Sequence, residues 1–404
     1  MLLLLFASIT FAQTFALTNV TVIPVSGPEI AAGMIVVKDG KITHVGDPLD
    51  VPSTIPVLDG QSGYAMPGII DVHSHMGVYP WPSARAHGDG NEATAPITAR
   101  VRAEDSVKVE DPAFQRAQAG GVTSLMILPG SANLIGGETV TIKNRDVGTL
   151  AAMKFSGAPR GIKMACGENP KRVYGDDVDG PSTRMGNLAY MRSAFQAALD
   201  YREARSRKEP PPTDHNLETL LDVIDGKILV HVHCYRHDDI EGIYRVMDYF
   251  GIKVQSFQHA LEAYKVRQMI IDHGTGIATW PDWWGFKMEA YDATPYNAAM
   301  FKDSGGVVAL HSDSGNTVQR MYTEAAKMVR YGSSPQQALE MITLDPARML
   351  GIQAQVGSLE VGKDADIALF SKHPLDSYTL VQKTWVDGEL VYDRSKEGTP
   401  NGRP

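Results

Sequence analysis

The sequence predicts an α/β protein in which a TIM (β/α)8 barrel carries a small β-sandwich domain built from both ends of the chain. Three observations lead to this fold class. Short β runs alternate with helical patterns through the middle of the 404 residues, both ends contain similar hairpins, and no Gly-rich nucleotide-binding loop follows the first β run of the middle region. The alternation is typical of parallel βα units, and the missing loop favours a closed barrel over an open doubly wound sheet.

Each end of the chain contains a hairpin signal. Residues 34–45 are two β-rich runs that flank Asp39-Gly40, and residues 383–392 repeat this pattern around Asp387-Gly388. Asp-Gly favours a type I′ turn, in which both central residues have a positive φ. The sequence therefore predicts that residues 17–65 and 354–404 form one β domain with a short C-terminal tail.

The segment between these halves, residues 66–353, is predicted to form the barrel. Its β runs lie at residues 68–73, 122–128, 162–165, 228–233, 253–259, 276–279 and 307–311. Because a TIM barrel needs eight strands, we expect one more at residues 139–143 or 149–155.

The charge of the chain limits its partners. The sequence has 38 Lys and Arg residues against 47 Asp and Glu residues, a formal net charge of −9, and it has no basic run. A negative surface repels phosphate backbones, so we expect a small-molecule substrate and no nucleic acid. The sequence leaves open whether the protein forms a homo-oligomer. The two cysteines, Cys166 and Cys234, are too few for a disulfide scaffold and say little about the compartment.

The first residues are similar to a secretory signal. Residues 1–12 form an apolar run too short to span a bilayer, and Ala12 and Ala16 are small residues suited to signal peptidase. We predict a signal peptide at residues 1–16, a mature start between Gln13 and Leu17, and a secreted or periplasmic protein that leaves the membrane after cleavage. The run lacks a preceding Lys or Arg, so a buried first strand is the alternative.

Metal-ligand residue types stand where several β runs end. The first run leads into His73 and His75, and residues two apart on a strand face the same side, so both imidazoles can share one ion. Another run ends in His259, and Asp313 follows the last run, where a carboxylate can bind metal and move a proton. Because the active site of a TIM barrel lies at the carboxyl ends of its strands, we predict a metal centre there.

Two further positions carry alternatives. Glu168 could bridge two metals at the mouth or cap a backbone amide, and Lys163 could bridge them instead as a carboxylated lysine. His231 and His233 can both face the barrel interior, with His233 nearer the mouth. Glu168 ranks ahead of Lys163 because it needs no modification, and the residues alone leave both choices open.

The sequence resembles the amidohydrolase superfamily over nearly the whole chain that follows the signal segment. The matching motifs are residues 66–75 (MPGIIDVHSH), 120–123 (GGVT), His233 and His259 after their β runs, 311–313 (HSD) and 357–366 (GSLEVGKDAD). Within the superfamily it is most similar to imidazolonepropionase-related members, especially those with GENP, here at residues 167–170, and HxxRxDDI, here at residues 233–240.

The resemblance implies a ligand set and a reaction. The residues that it assigns to metal are His73, His75 and Asp313 for a first ion, His233 and His259 for a second, and Glu168 as the bridge. It implies hydrolysis by metal-activated water, with Asp313 passing a proton to the departing nitrogen. We expect a divalent metal, foremost zinc, with one or two ions per chain.

One position departs from the superfamily's pattern. Deaminases and related members usually have Glu three residues after the histidine of the fifth strand, where this sequence has Arg236. Losing that general acid argues against ring deamination and against imidazolonepropionase activity. Arg236 could hold a substrate carboxylate, with an ion pair to Asp238 or Asp239 as an equal alternative.

Two softer candidates complete the predicted site. We expect His311 to lie behind the metals and polarise the substrate. The tryptophans of residues 280–287 (WPDWWGFK) could form an apolar or stacking wall, or could simply pack the barrel against its helices.

The sequence thus predicts a metal-dependent hydrolase that cleaves an amide, cyclic amide or N-acyl C–N bond of a small molecule. One alternative is a dipeptidase or carboxypeptidase-like enzyme, which uses the same scaffold. Another is a secreted binding protein without catalysis, whose signature would be a missing ligand, and none is obviously missing.

Overall fold

The computed structural model describes residues 14–177, 180–283 and 285–397 of the chain. Most of the predicted signal segment, residue Trp284 of the predicted wall and residues 398–404 of the predicted tail lie outside the described residues. None of the helices in the described ranges is long and apolar enough to cross a membrane.

The strands and helices follow one another through the chain in an α/β pattern. The strands are β1 (Phe15–Val22), β2 (Ile30–Lys38), β3 (Lys41–Gly46), β4 (Val57–Pro67), β5 (Ile69–Ser74), β6 (Val122–Ile127), β7 (Ile135–Lys143), β8 (Gly161–Ala165), β9 (Leu229–Cys234), β10 (Val254–His259), β11 (Gly276–Thr279), β12 (Val308–Leu310), β13 (Ile367–Phe370), β14 (Val381–Val386) and β15 (Glu389–Asp393). The helices are α1 (Pro112–Ala119), α2 (Leu150–Met153), α3 (Glu168–Tyr174), α4 (Arg184–Arg205), α5 (His215–Ile224), α6 (His237–Phe250), α7 (Arg267–Asp272), α8 (Asn297–Asp303), α9 (Met321–Arg330), α10 (Pro335–Glu340) and α11 (Leu344–Leu350).

Strands from both ends of the chain form one seven-stranded sheet. Its order is β15-β14-β13-β4-β1-β2-β3, and the antiparallel pairing of β13 with β4 joins the C-terminal strands to the N-terminal ones. Asp39 and Gly40 have φ of +50° and +76°, and Asp387 and Gly388 have +49° and +75°, as type I′ turns require. Both predicted hairpins are present, as β2–β3 and β14–β15.

The predicted signal segment overlaps the first strand of this sheet. Phe15 and Ala16 open β1, and their exposed fractions are 2% and 0%. Removing residues 1–16 would therefore take two buried side chains from the sheet, whereas a cut after Ala12 would leave β1 whole.

Strands β5 to β12 form a second sheet of eight strands in chain order, which curls into a nearly closed barrel. The edge strands β5 and β12 meet at the mouth, where the Asp313 N–H donates to the carbonyl oxygen of His73 at 3.0 Å. The fold class predicted from the sequence, a TIM-type barrel with a separate β domain from both termini, is confirmed.

The eighth strand lies at the first of its two expected positions, but its direction was not predicted. Residues 139–143 belong to β7, which pairs antiparallel with both β6 and β8. The other expected position, 149–155, contains helix α2. Only a short loop separates β6 from β7, and a parallel neighbour needs a crossover of a dozen or more residues, so the chain turns back instead.

Alternation along the strands separates the core from the site. On β9, Val230 and Val232 belong to the largest hydrophobic cluster, together with Phe195 of α4 and Ile243 of α6. His231 and His233 occupy the alternate positions of the same strand, on the barrel's inner face. The outer face of the strand thus anchors the helices, and the inner face carries the polar side chains.

Candidate metal centre

Two histidines at the end of β5 are oriented through their outer ring nitrogens. The Nδ1 of His73 lies 2.9 Å from Oε1 of Gln258, and the Nδ1 of His75 lies 2.8 Å from the carbonyl oxygen of Leu128. Because these oxygens only accept, each Nδ1 carries the proton and each Nε2 keeps the lone pair that a metal requires. The two Nε2 atoms lie 3.5 and 3.3 Å from Oδ1 of Asp313.

Asp313 reaches these histidines from the loop that follows β12. Its φ is +49°, an uncommon conformation for a residue with a side chain and one that clusters at functional sites. Burial alone would raise the pKa of Asp313, but the neighbouring imidazole of His75, with smaller contributions from His311 and Lys163, lowers it below its usual value. One ligand atom each from His73, His75 and Asp313 lies within 4.8 Å of the others.

Three more histidines extend the cluster across the barrel. The ring centre of His259 is 4.6 Å from that of His73 and 4.6 Å from that of His233, and His311 is 4.9 Å from both His73 and His259. His73, His259 and His311 form a second group whose ligand atoms lie within 4.8 Å of one another. The sequence-predicted histidines of β5, β9, β10 and the segment after β12 therefore lie together.

The histidines of the cluster are held neutral. Burial, followed by the charge of Lys163, lowers the pKa values of His73 and His233 well below the usual range. Burial lowers that of His259 well below the usual range and that of His311 to about 3. Neutral imidazole is the form that binds metal.

Lys163 lies inside the barrel next to this cluster. Its side chain is 1% exposed, its Nζ donates to the carbonyl oxygen of Pro129 at 3.2 Å, and the β8–β9 register sets it opposite His231. Burial lowers the pKa of Lys163 to about 7. His231 is turned to Ser256, whose Oγ lies 2.8 Å from His231 Nδ1, and burial lowers the pKa of His231 to about 3.

Glu168 lies further out, at the start of α3. Its Oε1 is 3.3 Å from Nζ of Lys287, and its backbone N–H donates to Oε1 of Glu289 at 2.6 Å. No group of three converging ligands found in the described ranges includes Glu168. Of the two residues between which the sequence left the bridging position open, Lys163 is the one that faces the histidines.

Arg236 forms one of the ion pairs that the sequence left open. Its Nε donates to Oδ1 of Asp238 at 2.9 Å, and its Nη2 binds the second oxygen of the same carboxylate. Asp239 is held instead by Arg184, whose Nε lies 3.1 Å from both carboxylate oxygens. A substrate carboxylate would have to compete with Asp238 for Arg236, and that role stays a prediction.

Aromatic side chains line one side of the cluster. Trp280 stacks on His259 with ring centres 4.5 Å apart, and Trp283 stacks on Trp280 at 5.1 Å. Tyr235 stacks on His259 at 5.1 Å, and Phe286 meets Tyr235 edge-on at 6.1 Å. The predicted stacking wall is present in the described part of residues 280–287.

The cluster fits a divalent metal, although none is part of the structure. In the described residues, Nδ1 of His259 and both ring nitrogens of His311 are buried without a hydrogen-bond partner. A buried polar atom without a partner costs free energy, which a bound ion or substrate would offset. Imidazole nitrogens together with one carboxylate are a donor set that zinc and similar ions prefer.

Sequence analysis missed the residues that position the ligands. Gln258, which orients His73, comes from a position 185 residues away in the chain. Asp71 accepts hydrogen bonds from the N–H groups of His73, at 3.1 Å, and of Ser312, at 3.2 Å, and so ties β5 to the segment that carries Asp313. The sequence could have indicated these residues by their positions next to the ligands. Gln258 directly precedes His259 on β10, and Asp71 lies two residues before His73 on β5.

Sequence analysis also missed a disulfide beside the site. Cys166 and Cys234 are bonded, with Cα atoms 5.3 Å apart and 68 residues between them in sequence. Cys234 directly follows His233, and the Cys166 N–H donates to the carbonyl oxygen of His233 at 2.8 Å. The bond ties the mouth ends of β8 and β9 together.

Comparisons with known proteins agree with this fold. The amidohydrolase family model matches residues 207–391. The crystal structure of an amidohydrolase from Thermotoga maritima MSB8 superposes with a TM-score of 0.88 at 35% identity, over 94% of this chain and 100% of that one. The chain belongs to the amidohydrolase superfamily, and the resemblance read from its motifs is confirmed.

Two curated relatives match most of this chain. "Amidohydrolase tasK" of Hapsidospora irregularis is 34% identical over 391 residues, and the match covers 89% of this chain but 40% of that protein. An imidazolonepropionase of Idiomarina loihiensis is 22% identical over 89% of this chain and 92% of its own length. The chain thus spans less than half of the first relative and nearly all of the second.

Proposed function

We propose that this chain is a metal-dependent hydrolase that cleaves a C–N bond in an amide, cyclic amide or N-acyl compound of small size. The observation that carries the proposal is the convergence of His73, His75 and Asp313, whose ligand atoms lie within 4.8 Å, with the outer nitrogen of each histidine already bonded. Such outer hydrogen bonds orient histidines for metal binding and raise their basicity. Membership in the amidohydrolase superfamily supports the same reaction class.

In this proposal the chain supplies the ligands and moves the proton. His73, His75 and Asp313 would hold one ion, and His233 and His259 would hold a second. A bound divalent ion lowers the pKa of water and polarises the scissile carbonyl. Asp313 would take the proton that water loses and deliver it to the departing nitrogen, a role that suits a carboxylate whose pKa lies below its usual value.

We assign the bridging position to Lys163 rather than Glu168. Glu168 is engaged by Lys287, whereas the buried Nζ of Lys163 has a single backbone partner, Pro129. Addition of carbon dioxide to the neutral amine, with loss of one proton, would give a carbamate whose oxygens would serve as metal ligands. Reconstitution of metal-free protein with zinc should then require bicarbonate in the wild type, and Glu168→Gln should keep that requirement.

The reaction class is tested by metal analysis followed by a substrate screen. Purified protein should contain one or two divalent ions per chain, and a panel of N-acyl amino acids, cyclic amides and dipeptides should contain substrates of the first two kinds. Turnover of dipeptides alone would favour the peptidase alternative. Protein that binds metal and ligands but hydrolyses none of the panel would favour a binding protein and overturn the proposal.

We further propose a secreted or periplasmic location. The apolar run at residues 1–12 supports export, and the Cys166–Cys234 disulfide suits an oxidising compartment. Because Phe15 and Ala16 are buried in β1, we expect cleavage after Ala12. N-terminal sequencing of exported protein should start at Gln13, and the intact mass should rise by two hydrogens on reduction. An intact Met1 in cytosolic protein would overturn the assignment.

A further inference from the structure

A cleft of about 720 Å³ lies where the barrel meets the sheet formed by both ends of the chain. Its walls come from helix α1, from the start of helix α9 with the two residues before it, and from the turn that follows β15. The described residues that line it include neither Asp313 nor a histidine of the metal cluster. The volume is within the range of small-molecule pockets, so a ligand of that kind can enter it.

Three arginines line this cleft, which is called here the arginine cleft. They are Arg116 of α1, Arg320 just before α9 and Arg394 just after β15. Glu397 is the only acidic residue among the described residues that line it. The walls therefore carry three positive charges against one negative charge, in a chain whose formal net charge is −9. Because the arginines come from distant parts of the sequence, folding gathers them although the chain has no basic run.

Two of these guanidinium groups have no carboxylate partner. The side chain of Arg320 forms no hydrogen bond or ion pair within the described part of the chain. Glu324, the one acidic residue of α9, is bonded to Lys327 instead. Arg116 donates from Nη1 to Oδ1 of Asn316 at 3.3 Å, which is a neutral acceptor. Both positive charges are therefore left without a compensating anion.

The one carboxylate of the cleft is already engaged. Oε2 of Glu397 lies 3.2 Å from Nη1 of Arg394, and the other oxygen of Glu397 accepts the hydroxyl of Tyr392. The Nε of Arg394 donates to the carbonyl oxygen of Val381 at 2.7 Å, which fixes this pair on the terminal sheet. Glu397 thus compensates Arg394 and not the other two arginines.

Uncharged donors line the same cleft. The side-chain amides of Gln115 and Gln319 and the hydroxyl of Tyr322 are partly buried along its walls, and they form no hydrogen bond within the described residues. Such N–H and O–H groups can donate to an anion whose charge the guanidinium groups balance. The cleft therefore offers both the charge and the donors that an anionic ligand needs.

We propose that the arginine cleft binds a phosphate group, either free or carried by a small molecule. A guanidinium group matches phosphate with two parallel N–H donors, and the two uncompensated guanidinium groups match the charge of about −2 that a phosphate group has near neutral pH. A single carboxylate would balance only one of them. The site is separate from the metal centre and does not depend on the proposed function. Because its walls belong to both the barrel and the terminal sheet, a bound phosphate group stabilises their junction.

Calorimetry on the full chain tests this site. Inorganic phosphate, ribose 5-phosphate and acetate would be titrated into metal-free and metal-loaded protein, and a binding event with the same affinity in both forms is assigned to the cleft. We expect both phosphates to bind, and acetate to bind about 10-fold more weakly or less tightly still. Tighter binding of ribose 5-phosphate than of inorganic phosphate identifies a phosphorylated small molecule as the ligand, and equal binding identifies free phosphate.

Two arginines near helix α9 give a variant and its matched control. Arg320→Gln should weaken phosphate binding by about 10-fold, the size of one hydrogen bond to a charged group, and Arg320→Lys should have an intermediate affinity because it keeps the charge without the paired donors. Arg330 is also exposed but does not line the cleft, so Arg330→Gln should leave the affinity unchanged. Phosphate should raise the urea midpoint of the wild type more than that of Arg320→Gln.

Three results would overturn the arginine cleft. The first is a metal-free wild type that binds neither phosphate at millimolar concentration. The second is equal weakening by Arg320→Gln and Arg330→Gln, which would indicate attraction to the general surface charge. The third is a smaller assembly in Arg320→Gln than in the wild type, which would assign these arginines to a subunit contact.

Discussion

Two lysines lie buried on neighbouring strands of the barrel in opposite environments. Lys143 of β7 donates to three carboxylates at the junction with the terminal sheet, Asp364 and Asp366 at 2.9 Å and Asp387 at 3.0 Å. Lys163 of β8 donates only to a backbone carbonyl. Burial alone would lower both pKa values, but the three aspartates raise that of Lys143 above its usual value, while that of Lys163 falls to about 7.

This difference distinguishes a buried lysine whose charge stabilises the fold from a buried lysine that is available for chemistry. Around Lys143, the ammonium group and three aspartates form one buried ion cluster, in which Oδ2 of Asp366 is left without a partner, and this cluster holds the barrel against the terminal sheet. Around Lys163 lie neutral histidines, three of which (His231, His259 and His311) have ring nitrogens without partners, and the nearby carboxylate of Asp313 forms no ion pair with Lys163 in the described residues. A buried charge surrounded by opposite charges indicates structure, and several buried ring nitrogens left open beside one another indicate a site.

Replacement of Asp313 at the barrel mouth should give the largest effect, which is a loss of turnover. Asp313→Asn keeps the size of the side chain but cannot carry the proton, so we expect kcat to fall by about 10²- to 10⁴-fold while a substrate-like ligand still binds. Metal content is measured first, then turnover on whichever amide the screen identifies. A variant that keeps its metal and turns over like the wild type would show that Asp313 is not the proton carrier.

Removal of the junction lysine should act on stability instead. Lys143→Met leaves Asp366 without its cation, while Asp364 and Asp387 keep Lys41 and Arg145, and removing one partner from a buried pair costs roughly 3–5 kcal/mol of unfolding free energy. Urea unfolding monitored by circular dichroism measures it. Metal content of the folded variant should match the wild type, and a loss of metal with stability intact would contradict the separation of the two clusters.

The matching change at the mouth should reverse this pattern. Lys163→Met removes a buried amine that has no carboxylate partner, so unfolding in urea should be unchanged or occur at higher concentration in the metal-free proteins. Metal content and turnover should fall. If Lys163→Met destabilises the metal-free chain as much as Lys143→Met does, Lys163 stabilises the fold in the same way as Lys143 and the proposed difference between them is wrong.

Replacement of Gln258 should have a smaller effect, on metal affinity, because Gln258 orients His73. Gln258→Leu removes the acceptor that fixes the proton on His73 Nδ1, and losses of this kind cost about 10- to 100-fold in metal affinity. Competition with a zinc chelator measures it. Gln255→Leu is the control, because Gln255 lies on the same strand and bonds Met349 away from the cluster. Equal zinc affinity in the wild type and Gln258→Leu would remove the orienting role.

A further expected effect is a pH dependence. The pKa of Lys163 is about 7 in the folded chain against an ordinary value of 10.5, so the unfolded chain binds the extra proton between these values. Stability contributed by this group should therefore rise as pH increases from 7 towards 10.5. In metal-free protein, the urea midpoint of the wild type should rise relative to that of Lys163→Met as the pH increases from about 7 to about 9. A constant difference would contradict the lowered pKa.

The sequence by itself determined the class of fold and most of the candidate ligands. Asp-Gly at 39–40 and 387–388 specifies its turn through local backbone preference, and the two-residue spacing of His73 and His75 places both rings on one side of a strand. These features depend on neighbours within a few residues, which a sequence displays directly. The superfamily motifs extended that local information to His233, His259 and Asp313.

Only the tertiary structure decided which side chains meet. The direction of β7, the bond between Cys166 and Cys234, the turn of Glu168 towards Lys287, the pairing of Arg236 with Asp238 and the support of His73 by Gln258 all depend on side-chain orientation or on strands brought together by the barrel. Periodicity assigns a residue to a face but not to a partner. The pKa values of the buried lysines also depend on the tertiary structure. Lys143 and Lys163 are the same residue type on adjacent strands, and burial alone would lower both pKa values. They differ because folding brings carboxylates to Lys143 and not to Lys163.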